Sequence, residues 1–240
     1  MRIVVFLGPT LSSGEASVHL QATYLPPAAQ GDVYRVVADQ PLAIGIVDGY
    51  FERVPAIWHK ELLWALKRSI HVLGAASIGA LRAAELASFG MIGVGEIYRA
   101  FRSGALEDDD EVAIAHGDEV TGYRATSEAM VNIRATLSAA ERAGAINAGT
   151  RAELEIMAKA MFYPDRSYPR LLAMAAEGGL PMCEIGALRS FLVNGRVDQK
   201  RADAIAMLDA LRAIHATGIR PEVPRFSFSH TNAWDQLVRD

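Results

Sequence analysis

One serine lies between a short apolar stretch and a run of helix-forming residues, where a nucleophile could be activated. Ile70–Leu73 is predicted to be a buried strand and Ala80–Leu86 a helix. Most of the connecting segment Gly74–Gly79 consists of small residues, so little side-chain bulk surrounds Ser77. The start of a helix favours negative charge through its unpaired N–H groups and its dipole. Ser77 is therefore a candidate nucleophile whose attack on a carbonyl carbon would create an oxyanion at that helix end.

The alternative for Ser77 is a purely structural role. Serine is a preferred residue at helix N-termini, where its Oγ accepts a hydrogen bond from a backbone N–H about three residues later. Here that donor would be the N–H of Ala80. This stretch alone favours the cap over the nucleophile, so the rest of the chain must decide between them.

A serine nucleophile needs a base, and three side chains near it in sequence are candidates. His71 lies inside the predicted strand and is better explained as a histidine of the core or the sheet edge. His59 and Lys60 lie at the start of a predicted helix. A neutral lysine can take the serine proton in a Ser–Lys pair, and the helix dipole at that end opposes the positive charge of Lys60. A solvated surface lysine is the ordinary alternative.

Two further strand ends carry residues suited to binding an anion, and one loop carries carboxylates. Gly8–Thr10 could offer N–H groups or a hydroxyl, and Asp48 with Gly49 ends another predicted strand. Neither a Walker A motif nor GxGxxG follows the first strand, so a dinucleotide is disfavoured and no cofactor is predicted. The acidic run Glu107–Glu111 could bind Mg²⁺, but a surface acidic turn is the favoured interpretation and no metal site is predicted.

The elements that position these residues alternate between strand and helix in the first half of the chain. The predicted strands are Ile3–Leu7, Ala22–Leu25, Ala43–Val47 and Ile70–Leu73. The predicted helices are Glu15–Gln21, one with Asp32 as its N-cap, Ala56–Arg68, Ala80–Leu86, Met130–Arg142, Arg151–Phe162 and Asp198–His215. Short βα connections predict an α/β fold with a doubly wound, mostly parallel sheet of the Rossmann or flavodoxin-like type over residues 1–125, followed by an α-helical domain over 126–240. The tail after Pro221 is predicted to be extended and anchored by Phe226, Phe228 and Trp234.

Composition restricts the class of function. The net charge of −4 gives no support for nucleic acid or an anionic membrane as partner. A single cysteine excludes an internal disulfide and a multi-cysteine zinc site. The apolar runs are shorter than the ~20 residues of a membrane span, and the start of the chain does not resemble a signal peptide. A cytoplasmic enzyme or binding protein is therefore expected.

Several ordered segments together resemble the TfuA family. They are FLGPTL, IVDGYF, PAIWHKELLWAL, GAASIGALRAAEL, FGMIGVGEIYRAF, GALEDDDEVAIAHG, MVNIRATL and VDQKRADA. The resemblance implies a partner of a YcaO enzyme, which uses ATP to activate a peptide backbone amide so that sulfur replaces its oxygen. It also implies a hydrolase-like Ser–Lys site that releases sulfide from the C-terminal thiocarboxylate of a ThiS-like sulfur carrier protein, and a role in engaging the precursor peptide or protein of YcaO.

Placed on this sequence by motif and chemistry, the serine of such a site is Ser77 and the lysine is Lys60, and the predicted oxyanion donor is the N–H of Ile78 or Gly79. The loop Gly8–Thr10 and the strand end at Asp48 and Gly49 complete the predicted oxyanion and substrate site. A rival lysine is Lys200, in VDQKRAD, and a weaker rival serine is Ser12, which has an evident capping role. Two other functions stay open: a non-catalytic adaptor of YcaO, and a nucleotide-binding protein that uses the first and third strand ends.

Overall fold

The structure is a computed structural model, and it describes residues 1–50 and 54–239. The chain forms two compact units, one made of Met1–Glu107 with Arg201–Asp240 and the other of Asp108–Lys200. This division differs from the predicted boundary near residue 125. The long helix near the C-terminus contributes Ala204, Met207 and Leu211 to the core beneath the sheet, so from Arg201 onward it belongs to the first unit.

The first unit is built on a five-stranded, all-parallel sheet in the order β2-β1-β3-β4-β5, the flavodoxin-like order. Its strands are β1 Ile3–Phe6, β2 Thr23–Leu25, β3 Ala43–Ile46, β4 His71–Gly74 and β5 Ile92–Gly93. The predicted α/β class and its four strands are confirmed. The fifth strand was not predicted, because Ile92 and Gly93 are too few to form an apolar run.

Helices cover both faces of this sheet, as a doubly wound fold requires. They are α1 Ser13–His19, α2 Asp32–Val37, α3 His59–Lys67, α4 Ile78–Leu86 and α5 Glu96–Ser103, with α10 Gln199–Thr217 and α11 Asn232–Arg239 from the end of the chain. One core holds the apolar side chains of α2, α3 and α4 against Val4, Ile44 and Val72. The other holds those of α1 and α10 against Ile3 and Val5.

Helix α3 starts later than predicted, and helix α2 has a different N-cap from the predicted Asp32. Helix α3 begins at His59 rather than Ala56, because Ala56 bridges Ala29 and Trp58 is the N-cap. Helix α2 does begin at Asp32, but its N-cap is Gly31, and Asp32 Oδ2 accepts from the Ala29 N–H at 2.7 Å.

The second unit is a small helical domain with its own core. Its helices are α6 Met130–Arg142, α7 Ala148–Ala160, α8 Tyr168–Glu177 and α9 Met182–Phe191, with short 3-10 turns at Asp109–Glu111 and Tyr163–Asp165. Helix α6 was predicted with its observed bounds, whereas α8 and α9 were not predicted. In the described part of the chain, no helix is long and apolar enough to cross a membrane.

The C-terminal arm, residues 218–239, lies along α3. Trp234 is 1% exposed and packs its ring against those of Tyr34 and Trp64. Phe228 stacks on Trp64, and Phe226 packs against the core. The predicted aromatic anchors are confirmed, but the end of the arm is a helix, α11, rather than an extended chain.

Candidate active site

The carboxyl ends of β1 and β3 meet, and a buried carboxylate joins them. Asp48 Oδ2 accepts hydrogen bonds from the N–H groups of Gly8 and Thr10, both at 3.0 Å. Its Oδ1 accepts one from Thr10 Oγ1 at 2.6 Å, and the residue is 2% exposed. The structure therefore brings together the predicted residues at this switch point of the sheet. It also gives them another role, because the N–H groups expected to bind a substrate anion or oxyanion already donate to Asp48.

Ser77 lies at a strained turn between β4 and α4. Only Ala75, Ala76 and Ser77 separate the end of the strand at Gly74 from the first helical residue. Ala76 has φ +66°, the left-handed conformation that is costly for a residue with a side chain. Ser77 itself has φ −115° and ψ −131°, outside the helical and strand regions. Such strain costs on the order of 1–3 kcal/mol and is typical of functional sites.

The serine hydroxyl does not cap the helix. The Ala80 N–H donates to the backbone carbonyl of Ser77 at 2.9 Å, and no hydrogen bond from this helix end reaches the Ser77 side chain. Ser77 is 3% exposed, so the hydroxyl is enclosed at the edge of the sheet. The capping interpretation of Ser77 is therefore wrong in this structure, and the turn is strained without that compensation.

The glycines around Ser77 permit backbones to touch. A Cβ on Gly79 would lie 1.8 Å from the Ile46 carbonyl oxygen, and one on Gly74 would lie 2.0 Å from the Gly79 oxygen. A Cβ on Gly49 would lie 2.8 Å from both the Ala28 oxygen and Ile78 Cγ2. Close packing of the first turn of α4 on β3 therefore accounts for these glycines.

Of the two N–H groups predicted to bind an oxyanion at the start of α4, one already has a partner. The Gly79 N–H donates to the Val47 carbonyl at 3.4 Å. The Ile78 N–H donates to no group in the part of the chain that the structure describes. Ile78 is therefore the better candidate for an oxyanion donor.

Lys60 is not brought to Ser77. Its Nζ donates to the Ser229 carbonyl at 2.6 Å and to Thr231 Oγ1 at 2.8 Å, so it binds the C-terminal arm. Its neighbour His59 bonds through Nε2 to Glu85 at 2.7 Å. Glu85 lies eight residues beyond Ser77, about 12 Å along the helix axis at 1.5 Å per residue. The start of α3 therefore lies beside the C-terminal end of α4, whereas Ser77 precedes its N-terminal end. Neither His59 nor Lys60 is placed as the base for Ser77.

Of the other candidates, Ser12 and His71 have structural roles, and Lys200 remains a candidate for the base. Lys200 is 3% exposed, and its Nζ donates to the Val112 carbonyl at 2.9 Å. Ser12 is the N-cap of α1 in a capping box with Glu15, as predicted. His71 bonds through Nε2 to the Ile219 carbonyl, which agrees with a structural histidine.

The acidic run is an exposed surface turn over Glu107–Asp109, as favoured from the sequence, and its last two residues form ion pairs. Glu111 is 3% exposed and pairs with Arg134 at 2.9 Å and Lys159 at 3.0 Å. Asp110 pairs with Lys159 and with the buried Arg166. Burial would raise the pKa of Asp110, but hydrogen bonds from Lys159 and Arg166 outweigh it and hold the pKa below its ordinary value. No group of three potential metal-ligating side chains occurs among the described residues.

Two buried carboxylates were not predicted from the sequence. Glu61 accepts from the N–H groups of Trp58 and Tyr34, and burial raises its pKa. Asp203 accepts from those of Glu96 and Ile97. Glu61 is the third residue of α3, where a glutamate can accept from the N–H of the N-cap residue, and this position was a signal for the first carboxylate. An acidic residue on the face of α10 that carries Ala204 and Met207 was a signal for the second.

Comparison with known proteins adds one match. A family described as TfuA-like protein matches residues 48–167, half of the chain. The matched segment includes Asp48, Lys60 and Ser77. No curated protein matches the chain.

Proposed function

Since the chain belongs to the TfuA-like protein family, we propose that it releases hydrosulfide from the C-terminal thiocarboxylate of a ThiS-like sulfur carrier. The hydrosulfide would supply a YcaO enzyme during ATP-driven thioamidation of a peptide backbone. The protein would also help YcaO to engage its peptide substrate. Ser77 is the nucleophile of this proposal.

The observation that supports it is the strained turn at Ser77. A serine between a parallel strand and a helix, with its hydroxyl left out of the helix cap, has the logic of a nucleophile elbow. The left-handed conformation of Ala76 in this turn destabilises the folded protein. A serine that only terminated a helix would require no such conformation.

In the proposed reaction Ser77 Oγ attacks the thiocarboxylate carbon, and a base takes the hydroxyl proton. The negative charge that develops on oxygen is stabilised by the start of α4, where Ile78 N–H is the available donor. Collapse breaks the C–S bond and expels hydrosulfide, which carries the proton, and leaves an acyl ester on Ser77. Water then hydrolyses the ester, giving the carrier carboxylate, a proton and the free serine.

The burial of Ser77 has a consequence for this reaction. At 3% exposure the hydroxyl is not accessible to a protein tail. Carrier binding must therefore open the edge of the sheet, and a step that opens before chemistry can limit the rate. Enclosure also keeps water away from the serine until the tail has entered.

The test is sulfide release from a purified thiocarboxylated carrier, followed by a sulfide-selective probe and by mass spectrometry of the carrier. Ser77→Ala should reduce release to the uncatalysed rate. Ser12→Ala is the matched control, because it removes a true helix cap, costs about 1 kcal/mol of stability and should leave release intact. Undiminished release by Ser77→Ala would refute the assignment.

A second measurement separates hydrolysis from an adaptor function. If Ser77→Ala lost sulfide release but still promoted YcaO-dependent thioamidation when sulfide was added, both roles would exist and would be separable. If Ser77→Ala retained thioamidation with the thiocarboxylated carrier as the sulfur source, the adaptor role alone would remain. A nucleotide-binding function is less favoured, because Asp48 places a carboxylate where the strand ends would have to bind phosphate.

A further inference from the structure

A carboxylate from a distant helix occupies the N-terminus of α5. Asp203 on α10 accepts from the Glu96 N–H through Oδ1 at 3.1 Å and from the Ile97 N–H through Oδ2 at 2.8 Å. The local N-cap, Gly95, has no side chain to satisfy these donors. Asp203 is 3% exposed, so it acts as a buried cap supplied from more than 100 residues further along the chain.

Gly95 is fitted to this carboxylate in two ways. Its φ of +96° is unfavourable for any other residue, and a Cβ there would lie 2.2 Å from Asp203 Cγ. The carboxylate thus approaches the backbone at a distance that only glycine permits. We call this contact between Gly95, the N-terminus of α5 and Asp203 the Asp203 clamp.

The Asp203 clamp lies beside the strand end that leads to Ser77. The Val94 N–H, one residue before Gly95, donates to the Gly74 carbonyl at 3.0 Å. Gly74 ends β4, three residues before Ser77. Fixing the chain that follows β5 therefore also fixes one side of the strained turn.

Helix α10 belongs to the same hydrophobic core as this turn. Ala75 and Ala76 share a core cluster with Ala204 and Met207, which lie next to Asp203 and one turn beyond it. A displacement of α10 would therefore disturb the core that contains Ala75 and Ala76, the two residues before Ser77. The clamp is one polar contact, beside the Arg201–Glu15 ion pair, that holds the start of α10 in place.

We propose that Asp203 is a positioning residue for Ser77. Its carboxylate locks α10 to the segment after β5, and the two together hold the Ala75–Ser77 turn in its strained conformation. This inference rests on the proposed function of Ser77. It assigns no proton transfer to Asp203, so the role is geometric.

The experiment compares Asp203→Asn and Asp203→Ala with Asp209→Ala as a matched control. Asp209 lies on the exposed face of α10 and pairs with Arg212. Asp203→Ala should lower kcat for sulfide release by about 10- to 100-fold, as expected for a displaced reacting group, with KM for the carrier within about twofold. Asp203→Asn keeps one acceptor oxygen but turns an NH2 group toward the second backbone donor, so its kcat should lie between those of Asp203→Ala and the wild type. Asp209→Ala should match the wild type.

A covalent readout distinguishes the two ways in which the test can fail. The rate at which a fluorophosphonate labels Ser77, measured by peptide mass spectrometry, should fall in Asp203→Ala in parallel with kcat. If Ser77→Ala abolished release but folded Asp203→Ala kept wild-type kcat and labelling, Asp203 would have no positioning role and the proposed function would stand. If Ser77→Ala released sulfide like the wild type, the proposed function would fail and this inference with it. If Asp203→Ala instead raised KM for the carrier by about 10- to 100-fold and left kcat unchanged, the positioning role would be contradicted and a part in carrier binding indicated.

Discussion

At the scale of the residue, the buried carboxylates of the first unit hold loops rather than perform chemistry. Asp48, Glu61 and Asp203 are each at most 3% exposed, and each accepts hydrogen bonds from at least two backbone N–H groups. A buried carboxylate is tolerated when such donors replace its water shell. The donors at the strand ends are therefore largely committed to internal acceptors, and the start of α4 is left as the place for an oxyanion.

Lys60 illustrates how a residue suited to catalysis can have a structural role. Its Nζ donates to two oxygens of the C-terminal arm and lies 5.6 Å and 5.7 Å from the ring centroids of Trp58 and Phe228. Lys60→Met should leave sulfide release within about twofold of the wild type, because the amine is not near Ser77. It should lower the free energy of unfolding by about 1–2 kcal/mol through two lost hydrogen bonds, measurable by urea denaturation.

Lys67→Met is the matched control for this prediction, since Lys67 Nζ donates to the Pro224 carbonyl of the same arm at 2.8 Å. Both variants should behave alike. Abolished release in Lys60→Met with normal release in Lys67→Met would show that Lys60 is the base after all. The same assay on Lys200→Met decides whether the second lysine named by the sequence has that role.

At the scale of the element, α4 is set against the sheet more closely than side chains would allow. Gly74 and Gly79 bring the end of β4 and the first turn of α4 into backbone contact with each other and with the Ile46 carbonyl. This contact fixes where the helix begins and hence where Ser77 lies. Glycine in a helix ordinarily costs about 0.5–1 kcal/mol relative to alanine, so its presence at the start of α4 reflects the packing.

Gly79→Ala should therefore destabilise strongly. A Cβ 1.8 Å from the Ile46 oxygen forces α4 away from β3, which we expect to cost about 3 kcal/mol or more and to abolish sulfide release. Gly186→Ala is the control, because Gly186 lies in α9 with no atom within 4 Å of the added Cβ. That change should raise the free energy of unfolding by about 0.5–1 kcal/mol. Equal stability of the two variants in thermal denaturation would contradict the close-contact explanation.

At the scale of the whole molecule, each of the two units has its own means of stabilisation. The first has apolar cores on both faces of its sheet. The second has one helical core and, in addition, the ion pairs that join Asp110 and Glu111 to Lys159, Arg166 and Arg134. Arg166 has a fully buried side chain, so its charge depends on these partners.

These ion pairs predict how the second unit responds to acid. The folded-state pKa of Asp110 lies below its ordinary value of 3.8, so the stabilisation it provides is complete above that value and is lost as the pH falls through the folded pKa. Asp110→Asn should therefore destabilise the protein at neutral pH, by about 2 kcal/mol because Asp110 is partly exposed. The difference from the wild type should shrink below about pH 4.

The measurement is the urea midpoint at neutral pH and at about pH 3. Asp109→Asn is the control, because Asp109 is exposed in the same 3-10 turn and should change stability little at either pH. A difference between Asp110→Asn and the wild type that stayed constant into acid would show that the carboxylate charge is not what stabilises this turn.

The elements predicted from the sequence were those with a strong local signal. Apolar, β-branched runs such as Ile3–Phe6 and Ala43–Ile46 gave the buried parallel strands, and the capping box at Ser12 marked α1. Elements without such a signal were missed. Strand β5 has only two residues, and helix α8 carries Pro169 as its second residue.

What the sequence determined by itself is the α/β class, the family, and a serine at a strand-to-helix turn, because each depends on residues close together in the chain. Only the tertiary structure decided how the polar groups pair: Asp48 with Gly8 across 40 residues, Lys60 with Ser229 across 169, and Asp203 with Ile97 across 106. The physical reason is that a hydrogen bond depends on distance and direction within a few tenths of an ångström. Such partners are set by how strands and helices pack, which no local pattern of residues encodes.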